Sequence, residues 1–106
     1  MADKVPELTN NSFDEFTKEG VVLVDFFAEW CMPCLVLAPV LDDLSDKFKG
    51  KIKFGKVNVS DQSDLAQKFN VSSIPNLTLF KDGKVVNQFV GAMSGDELEG
   101  KLEKYL

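Results

Sequence analysis

The sequence predicts a single α/β domain in which helices cover both faces of a mixed β-sheet. Three observations carry this. Strand-like and helix-like hydrophobic periodicities alternate through most of the 106 residues. Two strand-like runs then follow one another across a turn. One run, residues 21–28, is nearly all apolar on both alternating faces, as a central strand covered on each side requires. Crossovers through helices make the early strands parallel, and a hairpin adds antiparallel ones. At 44% hydrophobic and 27% charged, residues 1–106 are read as one domain with no linker, repeat or low-complexity segment.

In chain order, residues 5–8 read as a short first strand. Ser12-Phe13-Asp14-Glu15 has the form of a capping box, and Phe13 and Phe16 share a face of the short helix it opens. The central strand over residues 21–28 follows, with Asp25 its exception. From Cys34, apolar residues at 34, 37, 38, 41, 44 and 48 keep helical spacing, which predicts a long helix to about Phe48 with a kink, not a break, at Pro39. Residues 52–59 read as a strand and 61–69 as a short helix. Strands over residues 77–80 and 84–90 are joined by Lys81-Asp82-Gly83, a hairpin signal. Ser94 opens the last helix, Glu97 completes a second capping box, and Leu98, Leu102 and Leu106 fall on one face.

Composition removes several function classes. Nine Phe supply enough bulk for a core without staples, which frees the two Cys for chemistry. Net charge is −5 and every cation is Lys, so the chain lacks the planar forks that grip phosphate or guanine, and nucleic acid is not an expected partner. The absence of His excludes Ser/His and Cys/His catalysis and imidazole metal sites. The start, residues 1–9, is mixed and acidic without a signal-peptide pattern, and the run over 21–28 is far too short to span a bilayer. A cytoplasmic location without membrane contact is therefore expected, and there a close Cys pair is more often reactive than structural.

Trp30-Cys31-Met32-Pro33-Cys34 lies between the apolar strand and the long helix, placing Cys31 at the helix N-terminus and Cys34 one turn along. Unpaired backbone N–H groups and the positive end of the helix dipole favour a thiolate at Cys31, lowering its pKa and making it a nucleophile near neutral pH. Residues three apart on a helix are neighbours, so Cys34 can attack the sulfur of Cys31. Pro33 suits the first helical turn, where its missing donor costs nothing. A purely structural disulfide would add only about 2 kcal/mol for so small a loop. Two Cys without His supply half a tetrahedral metal site, so no metal is expected unless two chains combine. A CxxC beside a βαβ pattern is a known redox signal.

The run from Val24 to Cys34, followed in order by Pro39, Lys56-Val57-Asn58-Val59, Ser73-Ile74-Pro75 and Val90-Gly91-Ala92, resembles the thioredoxin family over nearly the whole chain. These separately placed motifs are much more specific than CxxC alone. The resemblance implies a five-stranded mixed sheet flanked by four helices, with the Cys pair at the end of a central strand. It implies a protein-disulfide reductase working by dithiol–disulfide exchange through Cys31 and Cys34. No bound cofactor is needed beyond the redox-active pair itself. The expected partners are disulfide-containing proteins and a flavin-containing thioredoxin reductase, and the chain is expected to be a monomer.

Asp25 is a carboxylate in an apolar strand, so its pKa should be raised by desolvation. The bland alternative is a solvated strand end or a structural salt bridge. The resemblance makes it the proton acceptor for Cys34 through water, and makes Lys56 the lysine that modulates it; on spacing alone Lys56 could equally be an ordinary exposed lysine. Pro75 precedes a strand and could simply start it. The resemblance implies instead a cis bond after Ile74, packed on the Cys pair, that leaves the Ile74 backbone free for an extended substrate. Trp30, Met32, Pro33, Ile74, Pro75, Gly91 and Ala92 would then form the docking surface, although sequence alone favours Trp30 as core.

Several residues depart from the family pattern: Met32 replaces the usual Gly, Phe27 the usual Trp, Leu35 a common Lys, Ser60 a common Asp and Asn76 the usual Thr. None removes a reacting group. Strongly oxidising relatives place a His between the cysteines, and its absence here favours a reductant. The alternatives are a disulfide isomerase or oxidase, or a noncatalytic binding subunit.

Overall fold

A computed structural model describes residues 4–106; the first three residues of the acidic start lie outside the described residues. Along the chain run α1 (Phe13–Thr17), β1 (Val21–Phe27), α2 (Met32–Lys47), β2 (Ile52–Asn58), α3 (Ser63–Lys68), β3 (Asn76–Lys81), β4 (Lys84–Val90) and α4 (Gly95–Glu103). The sheet order is β2-β1-β3-β4. As the connections require, β1 is parallel to β2 and antiparallel to β3, and β3 is antiparallel to β4.

Strand alternation sends the two apolar sets of β1 to opposite faces. Leu23, with Ile52, Phe54, Leu77 and Leu79, meets Leu37, Ala38 and Leu41 of α2 and Leu98 and Leu102 of α4. Val22, Val24 and Phe26, with Val57 and Phe80, meet Phe13 of α1 and Leu65 of α3. Phe69 seals this second face, stacked on Phe13 and edge-on to Phe80 with ring centroids 5.2 Å away in each case. Each fully buried Val, Leu, Ile or Phe among these contributes about 1.5–3 kcal/mol, and together they hold a sheet whose central strands have no solvated face.

Among the described residues four strands form where five were expected. Residues 5–8 make a single parallel bridge between Glu7 and Lys56, in which Leu8 N–H donates to the Lys56 carbonyl at 2.7 Å and Lys56 N–H to the Pro6 carbonyl at 3.0 Å. Pro6 has no donor to extend the ladder, and just upstream Lys4 N–H turns to Asp42 Oδ1 of α2 at 3.1 Å.

The capping box at Ser12 does not form. Ser12 has helical backbone angles (φ −102°, ψ −12°) and makes no side-chain cap, its hydroxyl accepting instead from Thr9 N–H at 3.0 Å. At Ser94 the backbone is extended, and the hydroxyl accepts from Glu97 N–H at 3.1 Å. Because α4 ends at Glu103, Leu106 leaves the Leu98–Leu102 face and is 58% exposed. α2 runs unbroken through Pro39 and starts at Met32, ahead of the first residue of its apolar stripe. The β3–β4 hairpin turns on Asp82 and Gly83, both at positive φ (50° and 85°), the pairing that a tight turn matching the strand twist demands.

Candidate active site

The site is built where β1 passes into α2. Cys31 is the N-cap of α2, with extended backbone (φ −88°, ψ 104°), and its Sγ accepts from the Cys34 N–H at 3.3 Å. A capping Ser or Asp oxygen makes this same bond, to the amide three residues on. Here sulfur takes that place, and Pro33, which has no N–H, sits between. Cys31 and Cys34 are joined as a disulfide, with Cα atoms 5.3 Å apart. Their exposure differs: Cys31 retains 5% of its surface, whereas Cys34 is sealed at 0% among Phe27, Ala28 and Ile74. Of the pair, only Cys31 keeps any exposed surface.

Asp25 lies on the same face of β1 as Leu23 and Phe27. Leu23 packs with Leu37 and Ala38 of α2, and Phe27 packs with the two cysteines, so Asp25 sits beneath α2 between those contacts. It is 3% exposed, and its Oδ1 has no hydrogen-bond partner. Burial raises its pKa to about 7, against the opposing pull of the Lys56 ammonium. A solvated strand end is thereby ruled out. Lys56 is the Cα partner of Asp25 across the β1–β2 ladder and is 8% exposed, with Nζ 5.7 Å from the centre of the Phe27 ring. It is not the ordinary surface lysine that spacing allowed.

The Ile74–Pro75 peptide bond is cis. Ile74 packs against the cysteine cluster, and the Pro75 carbonyl accepts from Gly91 N–H at 2.8 Å, which brings the residues after β4 alongside those before β3. Among the described residues, no backbone partner meets the N–H or C=O of Ile74. Trp30 is 73% exposed, not a core residue, and Met32, Pro33 and Ala92 are exposed with it. Its neighbours Ala28 and Cys31 turn inward, and Trp30 between them faces out.

No group of three or more His, Cys, Asp or Glu that could hold a metal ion occurs among the described residues, and no helix there is long and apolar enough to cross a membrane.

The family model for thioredoxin matches residues 4–104. The chain belongs to the thioredoxin family. It is 41% identical over 105 residues to a thioredoxin from Pseudomonas aeruginosa, covering 97% of each chain. It is 42% identical over 102 residues to one from Staphylococcus haemolyticus, covering 96% of this chain and 98% of that one. A Synechocystis thioredoxin is 42% identical over 103 residues, covering 95% and 96% respectively. The four helices and mixed sheet are thus a thioredoxin fold, and the chain is a thiol–disulfide oxidoreductase that reduces protein disulfides by dithiol–disulfide exchange through its Cys31–Cys34 pair.

Sequence reasoning missed a polar relay beside the Ile74–Pro75 segment, made by Asn76, Thr78 and Gln88. These residues come together only through strand register, and no local motif announces them.

Proposed function

We propose that Cys31 is the attacking thiol and Cys34 the resolving one, within a single-domain protein-disulfide reductase comprising residues 1–106. The Cys31 thiolate attacks a substrate disulfide, whose S–S bond breaks as a mixed disulfide forms and one substrate sulfur leaves as a thiolate. Asp25, through a bridging water, accepts the proton of the Cys34 thiol. The Cys34 thiolate then attacks the Cys31 sulfur, releasing the second substrate thiolate and leaving the pair oxidised. Two electrons pass from the pair to the substrate.

The observation that carries this reading is the bond from Cys34 N–H to Cys31 Sγ. It supports the assignment because a donor fixed on Cys31, the member of the pair with some exposed surface, favours the charged form of that sulfur once the pair is reduced. Asp25, with a pKa of about 7, is poised to take and return a proton near neutral pH. Lys56 tempers that pKa. On this reading the Ile74 backbone, without a backbone partner among the described residues, offers an extended substrate segment a pairing edge, exposed Trp30, Met32, Pro33 and Ala92 and half-buried Gly91 dock the substrate, and buried Pro75 shapes that edge through its cis bond.

On this reading the Cys pair carries the electrons itself and needs no other cofactor. A flavin-containing thioredoxin reductase restores it, and the chain works as a monomer in the cytoplasm. Cys34→Ser should trap covalent complexes with disulfide-bonded proteins, visible without reductant, whereas Cys31→Ser should trap none. If Cys34→Ser forms no such complexes, the assigned roles fall. A reduction potential well above that of the glutathione pool would instead mark an oxidase or isomerase.

A further inference from the structure

We infer that Gln88 is a positioning residue for substrate docking, holding the loop that carries Ile74 and Pro75 through a part-buried polar relay. Gln88 Nε2 donates to the Phe69 carbonyl at 2.9 Å and lies 3.0 Å from Thr78 Oγ1, whose hydroxyl donates to Asn76 Oδ1 at 2.9 Å. Phe69 caps the C-terminus of α3, where backbone carbonyls lack partners within the helix, and Gln88 supplies one from another strand. Asn76 directly follows Pro75. The relay therefore ties residue 69, just before the loop, and residue 76, just after it, to β4.

The setting makes a purely packing role a poor explanation. Thr78 is fully buried and Asn76 nearly so, on the sheet face that Phe13, Phe26, Phe69 and Phe80 otherwise fill. Polar groups placed there are costly unless bonded, and apolar residues would fill the space without that penalty. Gln88 is the cross-strand partner of Thr78, so strand pairing sets the spacing of the relay. Val90, two residues along β4, pairs with Asn76, and Gly91 N–H reaches the Pro75 carbonyl. β4 thus fixes the loop from both ends. Ser72 and Ser73, within it, are exposed.

This inference rests on the reading that Ile74 and Pro75 meet the substrate. A protein disulfide must dock on that loop while its sulfur reaches Cys31; a small disulfide needs Cys31 alone. Losing the relay should therefore impair the first and spare the second.

The test compares wild type, Gln88→Met, Thr78→Val and the double variant in dithiothreitol-driven reduction of insulin and in direct reduction of 5,5′-dithiobis(2-nitrobenzoic acid). The Met and Val replacements keep side-chain bulk and remove the bonding groups. Gln88→Met should raise KM for insulin about fivefold, the scale of one lost hydrogen bond, with kcat and the small-disulfide rate unchanged. Thr78→Val should act in the same direction, and the double variant should fall short of the product of the singles, because both break one relay. An unchanged KM in either folded variant overturns the inference, as does an equal loss on both substrates, which would mean that the Cys pair itself was disturbed. Failure of the wild type to reduce either substrate would count against the proposed function instead.

Discussion

Asp25 and Lys56 stand opposite each other on neighbouring parallel strands, both buried beneath the sheet face that α2 covers. Opposite charges so placed ordinarily lower a carboxylate pKa. Here desolvation outweighs the attraction, and Asp25 titrates at about 7.

Asp25→Asn should stabilise the oxidised protein in a pH-dependent way. Between the ordinary carboxylate range and about pH 7 the folded state holds a proton that the unfolded chain releases, so wild-type stability falls as pH rises through that window and levels off above it. The variant lacks this loss. Its advantage should grow from about pH 4 to pH 7 and reach at most about 4 kcal/mol, the equivalent of the full shift. Urea unfolding of both proteins across that range checks it. A constant difference would mean that Asp25 titrates alike in the folded and unfolded chain, and an advantage to wild type that grows as pH rises would show that the Lys56 attraction dominates.

Lys56→Met should move the Asp25 titration upward from about 7, because the lysine is the charge that holds it down. Resolution of mixed disulfides near neutral pH should slow in parallel, since less Asp25 is ionised to accept the Cys34 proton. Carboxyl-carbon NMR titration and release kinetics measure the two effects. An Asp25 titration that stays in place would remove Lys56 from the mechanism.

Gly55→Ala should cost about 1–3 kcal/mol and leave thiol exchange intact. A methyl group there would lie 2.8 Å from Leu8 Cδ1 and 3.0 Å from Phe16 Cε2, too close unless those packed side chains shift. Denaturant midpoints report the loss. A neutral effect would mean that Leu8 is free to repack.

The cysteine site was legible because its logic is local: an apolar strand, a CxxC and a helical stripe fix where Cys31 must stand. Asp25 was legible as a charge in an apolar run, and its burial followed. Lys56 was not, because β2 exposes Lys53 yet buries Lys56: three positions apart they lie on opposite sheet faces, and only the tertiary packing decides how each face is covered. Trp30 misled because residue type favours the core, whereas in the turn between β1 and α2 it is Ala28 and Cys31 that face inward. Ser12 failed as a cap where Ser94 succeeded, the two sharing a motif but not a backbone conformation. Gln88 meets residues 10 and 19 positions away, beyond the reach of any spacing rule.

If the start of α2 activates one sulfur, the two thiols of the reduced protein must differ in chemistry. Iodoacetamide alkylation from about pH 5 to 9, followed at each cysteine by peptide mass spectrometry, measures that difference against an ordinary thiol pKa of about 8.5. Cys31 should react at least about tenfold faster than Cys34 at pH 7 and remain reactive well below the ordinary thiol range. Equal and slow reaction of both thiols up to pH 8 would contradict the assignment of Cys31 as the nucleophile.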